Sequence, residues 1–212
     1  MFSALELFWL KRKKPKGWID GFSETNSLFI HIPKTAGTSI SKVLYGEDPW
    51  HHTLDEYSYV SHKTLKKLYK FAIVRNPYDR LASTYKYSFE QAKSHPNTSV
   101  KFITRYPTFE EFVTDWVNEI NVRSHYFLYP QCMYLGEERE KIKIDFIGKF
   151  EDLTNAYEVI AKKLDIKSEL PVTNKSQNTI DARYTDKTAE IVYDAYQEDF
   201  TKLSYSKDSF RK

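Results

Sequence analysis

Residues 29–39 read FIHIPKTAGTS. An apolar run leads into Pro33, turns through Gly37 and enters a helical pattern at Thr38. The first N–H groups of a helix have no partner inside it, and the helix dipole favours negative charge there. A helix that starts just after a strand is therefore a ready seat for an anion. Lys34 adds a point charge, and Thr35, Thr38 and Ser39 add hydroxyl donors. Gly37 lets the backbone come close to whatever is bound. In the nucleotide-binding pattern GxxxxGK[ST] the lysine closes the loop; here Lys34 opens it. The expected chemistry is a grip on phosphate or sulfate.

A second set of such residues lies in FAIVRNPYDRLASTY, residues 71–85. Arg75 ends an apolar run, where its planar fork suits a phosphate. Asn76 is a good N-cap and Pro77 suits the first helical position. Leu81, Tyr85, Phe89 and Ala92 share the apolar face of the helix that follows. Ser83 lies opposite, with Asn76, Asp79 and Arg80, where its hydroxyl can reach a phosphate held by Arg75. Taken alone, the segment reads as a capped helix with a surface Asp79–Arg80 pair. After the first motif it becomes a second anion site on the neighbouring strand.

The elements that must hold these residues alternate between strand and helix. Strands are expected at Leu28–Ile32, Phe71–Val74 and Ile144–Gly148. Helices are expected from Thr38 to just before Gly46 and from Pro77 to about Lys93. A third, Phe109–Ile120, is opened by a Thr108–Glu111 capping box. A fourth starts at Thr154, with Tyr157, Ile160, Ala161 and Leu164 facing inward. After a polar loop over 173–185, a last helix covers Asp186 to Phe200. This order predicts an α/β fold with a parallel sheet and helices on both faces. Ligands of such folds bind beyond the carboxyl ends of strands, where both motifs fall. The chain divides into an N-terminal basic, amphipathic extension, residues 1–20, and one domain over 21–212.

The 212 residues carry 32 basic and 29 acidic side chains, a formal charge of +3. That excess is too small to announce nucleic-acid binding and fits local handling of an anion. Cys132 is the single cysteine, so no intrachain disulfide and no cysteine metal site can form. The stretch Met1–Leu10 is mostly apolar but too short to span a bilayer. It precedes the basic run Lys11–Lys16, the reverse of a signal peptide. The segment reads as a solvated arm, with weak docking to an anionic membrane surface or to a partner as the sharper alternative. Lacking an anchor and paired cysteines, the protein is expected in a bacterial cytoplasm, at most peripheral to the membrane.

The two motifs resemble the two cofactor-binding signatures of the sulfotransferase family, in its carbohydrate sulfotransferase-like branch. HYFLYPQ at 125–131, IGKFEDL at 147–153, NKS at 174–176 and YQEDFTKLSY at 196–205 extend the resemblance over about residues 26–205. It implies a P-loop-NTPase-like three-layer fold with a central parallel sheet, and no metal. It implies 3′-phosphoadenosine 5′-phosphosulfate (PAPS) as donor and a carbohydrate hydroxyl as acceptor. Lys34, Thr35, Gly37, Thr38 and Ser39 would hold the 5′-phosphosulfate, and Arg75 with Ser83 the 3′-phosphate. In the loop after NKS, Gln177, Asn178 and Thr179 stand where relatives carry basic residues; Lys175 and Arg183 are left unassigned.

Transfer of the sulfuryl group needs charge on the leaving oxygen neutralised, a task for Lys34, and a base for the acceptor hydroxyl. Six histidines offer themselves. His31 belongs to a strand and reads as structural, His95 as solvated, His62 as surface. His51 and His52 follow the first helix and its turn. His52, followed by Thr53, Leu54 and Asp55, matches the segment where related sequences place a histidine, and is the favoured base. His51, His125 and an acidic residue stay open. Lys63, Lys66, Lys67 and Lys70 form a basic run, most simply a solvated helix face. Two other readings remain: a metal-dependent phosphotransferase on a similar scaffold, and a relative that binds the nucleotide without catalysis.

Overall fold

The computed structural model describes residues 17–58, 62–136, 142–171 and 180–211. Most of the N-terminal extension and the NKS segment with Lys175 lie outside them, as do the side chains of His62 and Lys63. The described elements run α1 Asp20–Glu24, β1 Ser27–Ile30, α2 Gly37–Tyr45, α3 Leu54–Ser58, α4 His62–Leu65, β2 Tyr69–Val74 and α5 Pro77–Ser94. A 3-10 turn at Ser99–Arg105 precedes α6 Phe109–Asp115, α7 Glu119–Val122 and α8 Gln131–Leu135. Then come β3 Phe146–Lys149, a 3-10 turn at Phe150–Asp152, α9 Leu153–Leu164, α10 Asp186–Ala195 and α11 Gln197–Lys202. The chain forms two compact units, residues 1–74 with 131–173, and 75–130 with 174–212.

The first unit holds the sheet. Its three strands are parallel in the order β1-β2-β3, with Phe29 opposite Phe71 and Ala72 opposite Ile147. Every residue of β1 is buried, and so are Phe71 to Val74. Burial of successive residues means that both faces are covered, which accounts for apolar runs without alternation. β3 is an edge strand and alternates. The fold is the expected α/β class, a parallel sheet flanked by helices, consistent with the P-loop-like fold of sulfotransferases.

The strand bounds differ from the expected ones at both ends of β1, at the start of β2 and at both ends of β3. β1 ends at Ile30 because the Ile32 N–H turns back onto the Ile30 carbonyl at 3.1 Å; His31 and Ile32 leave the ladder yet stay buried. β3 starts at Phe146 because Asp145 closes the pairing: its N–H donates to Lys70 O at 2.7 Å and its carboxylate accepts the Lys70 N–H. The Lys70 ammonium sits 2.7 Å from the same carboxylate and is buried. Lys70 therefore does not belong to a solvated basic face; Lys66 and Lys67 are exposed.

The second unit is helical, packed around Tyr78, Tyr85, Phe109, Phe112, Tyr196 and Phe200. The helix expected from Pro77 stands unbroken to Ser94, but two other expected helices are split. The Asn118 side chain accepts N–H bonds from Ile120 and Asn121 and starts α7 afresh. The last helix breaks at Tyr196, whose buried hydroxyl donates to Leu128 O at 2.8 Å. Arg80 corrects the surface-pair reading: it is 2% exposed and donates to Tyr129 O at 2.6 Å, with Tyr196 facing its guanidinium.

Candidate functional site

The loop after β1 is wound tightly. Lys34 and Ala36 both take left-handed backbone angles, φ +70° and +65°. For residues with a side chain each costs about 1–2 kcal/mol. The turn that imposes them is held by Thr35, fully buried, whose hydroxyl donates to Ile32 O at 2.9 Å. In this arrangement the Thr35 hydroxyl proton closes the turn onto Ile32 O.

Ala36 is the N-cap of α2, and having no polar side chain it leaves the first N–H groups of the helix uncapped. The Ser39 and Ile40 N–H groups close onto Ala36 O. Thr38 is exposed and Ser39 and Lys34 are half-buried. Gly37 has an unforeseen neighbour: a Cβ there would overlap the Cδ2–Nε2 edge of the His31 imidazole. The space this glycine leaves is filled by His31.

Because β1 and β2 pair in parallel, their carboxyl ends lie at one edge of the sheet. Arg75 directly follows β2 and is half-buried. Next to it, Asn76 caps α5, accepting the Tyr78 N–H at 3.0 Å, while its amide donates to Ser209 Oγ at 2.8 Å. Ser83 is half-buried on the second turn of α5.

The histidines separate by environment. His31 is 3% exposed, with Nδ1 2.8 Å from Asp48 Oδ1. His51 stands edge-on to it, ring centroids 4.3 Å apart, with Nδ1 2.9 Å from His31 O. A carbonyl only accepts, so His51 Nδ1 carries the hydrogen and Nε2 is its basic nitrogen. Burial, reinforced by the charge of His31, lowers the His51 pKa to about 3. Burial pushes the Asp48 carboxyl up, but His31 and the Trp50 N–H outweigh it and bring it to about 2. His52 is 7% exposed; its Nδ1 lies 3.6 Å from Glu56 Oε2, and its Cδ2–Nε2 edge packs where a Gly17 side chain would stand. In the second unit, His125 accepts the Phe127 N–H and bonds Ser99 O through its other nitrogen. Both its nitrogens hold the local chain together.

A sequence profile of the sulfotransferase family matches residues 22–206. The chain belongs to the sulfotransferase family. It is similar to carbohydrate sulfotransferase 11 of Rattus norvegicus and of Mus musculus, 28% identical over 189 residues in each case. The alignments cover 76% of this chain and 53% of each relative, so the chain spans about half the length of the curated relatives it matches. No solved structure matches it significantly.

These relatives overturn the expected bacterial cytoplasmic location, since both are mammalian carbohydrate sulfotransferases. Among the described residues no helix is long and apolar enough to cross a membrane. Sequence reasoning passed over Asp48. The signal was present: an acid in the turn just before a histidine pair, on the stretch returning from α2.

Proposed function

We propose that this sulfotransferase moves a sulfuryl group from PAPS to a hydroxyl of a carbohydrate. One observation carries the reading: two neighbouring parallel strands end at one sheet edge, the first in a lysine-bearing loop with an uncapped helix start, the second running into Arg75. In this reading the loop holds the 5′-phosphosulfate through Lys34, Thr35, Thr38, Ser39 and the N–H groups at Gly37. Arg75 and Ser83 hold the 3′-phosphate. The acceptor oxygen attacks sulfur in line, and the bond to the bridging oxygen breaks. That oxygen leaves with the electron pair on the 5′-phosphate, where the Lys34 ammonium offsets its charge. Most of the catalysis is then placement and electrostatics.

The hydroxyl proton passes to the His51–His52 segment. The sequence favours His52, whereas packing favours His51: His52 is covered by Gly17, and His51 adjoins the histidine that abuts the loop. A bound anion beside His51 raises its pKa from the low value of the empty protein toward the working range.

Calorimetry with adenosine 3′,5′-bisphosphate, set against ATP with magnesium, tests the donor. Tight binding of the bisphosphate alone is expected; binding of ATP with magnesium alone would sink the reading. Transfer to a panel of saccharides tests the acceptor, and a protein that binds the nucleotide yet transfers to none is a binding relative.

A further inference from the structure

The His31–Asp48 pair has no part in the transfer described above, yet it is built with care. Asp48 Oδ1 accepts from His31 Nδ1 at 2.8 Å and from the Trp50 N–H at 2.9 Å. An ionised carboxylate only accepts, so the hydrogen is on His31 Nδ1. The opposite edge of the ring fills the space beside Gly37, the first residue of α2. His51 leans on the ring and is bound to the His31 carbonyl. An apolar side chain would fill a core position at lower desolvation cost than a buried imidazole tied to a carboxylate. What the pair adds is direction: a carboxylate on the turn after α2 sets the ring, and the ring sets the start of α2.

We propose that Asp48 and His31 are positioning residues for the phosphosulfate loop. They hold Gly37, and with it Lys34 and the helix start, in the binding geometry before the nucleotide arrives. Donors already in place need no reorganisation when charge develops, and a loop with two left-handed non-glycine residues needs such support. The inference rests on the reading of residues 33–39 as the phosphosulfate grip.

Asp48 is on an exposed turn and contacts no nucleotide in that reading, so its variants isolate positioning from binding. Asp48→Ala is expected to weaken adenosine 3′,5′-bisphosphate binding roughly tenfold, the order of one lost charge-assisted hydrogen bond. The KM for donor should rise while the KM for acceptor holds. Asp48→Asn, whose side-chain oxygen still accepts from Nδ1, should recover most of the loss. Independently, Gly37→Ala should weaken the bisphosphate, and adding His31→Ala, which vacates the space, should restore part of it. Denaturation midpoints of each variant separate lost folding from lost binding. Wild-type affinity in a folded Asp48→Ala, or no relief of Gly37→Ala by His31→Ala, overturns the positioning role alone. A wild-type protein that fails to bind the bisphosphate overturns the loop reading and this inference with it.

Discussion

Lys34 is asked to do the most at the scale of single residues. If its ammonium offsets charge on the leaving oxygen, Lys34→Ala should lower kcat about 100- to 1,000-fold, with a smaller loss of bisphosphate affinity; a steady-state assay reads both. His51 makes a separate prediction through stability. Its pKa is about 3 in the fold against about 6.5 in an unfolded chain. Between those values the unfolded state binds the extra proton, so stability falls as pH drops from 6.5 toward 3. Asp48 adds to the loss only lower, as pH falls from its unfolded value through about 2. His125, also held down by burial, acts in the same direction as His51. Urea midpoints at pH 7, 5.5 and 4 should decline, and His51→Gln should flatten the decline by up to one proton. An unchanged slope would show that His51 is not held neutral by the fold. The charged and hydroxyl types of the loop were legible in the string FIHIPKTAGTS; the burial of Thr35 and the contact of His31 with Gly37 were not, because both depend on how the turn closes.

Capped helix ends were the legible part at the scale of elements. Asn76 at the N-cap, Pro77 after it, the Thr108–Glu111 box and Gly46 past the end of α2 all stand as expected. Each acts through its own neighbours in sequence, so no tertiary knowledge was needed. Asn76→Ala should cost about 2 kcal/mol, the upper end of cap losses, because the amide bond to Ser209 goes with the cap. Thermal or urea unfolding measures it, and a loss under 0.5 kcal/mol would mean the cap is idle. Gly148 in β3 gives a packing test: a Cβ there would stand 2.7 Å from both Ala156 Cβ and Ile73 Cδ1. Gly148→Ala should therefore destabilise by about 1–3 kcal/mol. The breaks at Asn118 and Tyr196 escaped the periodic reading. Apolar residues continue through both, while the Asn118 and Asn121 side chains bond the backbone at the first break and Tyr196 bonds Leu128 O at the second.

At the scale of the whole molecule, the proposed function has one nucleotide held at both ends. Adenosine 3′,5′-bisphosphate at 100 times its Kd should then stabilise the protein by about 2.7 kcal/mol, seen as a rise in melting temperature. Arg75→Ala should weaken the bisphosphate at least tenfold, while affinity for adenosine 5′-monophosphate, which lacks the 3′-phosphate, stays within about twofold. Equal loss for both ligands would remove Arg75 from the 3′-phosphate. Family membership was readable because the two motifs and the later segments stand in the right order over most of the chain. Location was not: a lone cysteine says little when the chain covers about half of its relatives' length.

Composition and local pattern determined the fold class, the helix caps and the family. These properties arise from residues close in sequence, where spacing alone decides which groups meet. The tertiary structure decided what residues distant in sequence do to one another. It buried Arg80 against the carbonyl of Tyr129 and bound Lys70 to Asp145. It packed Gly17 over His52, and it brought Asp48 to His31 and His31 to Gly37. Burial and hydrogen-bond partners are properties of the packed chain, and no window of the sequence contains them.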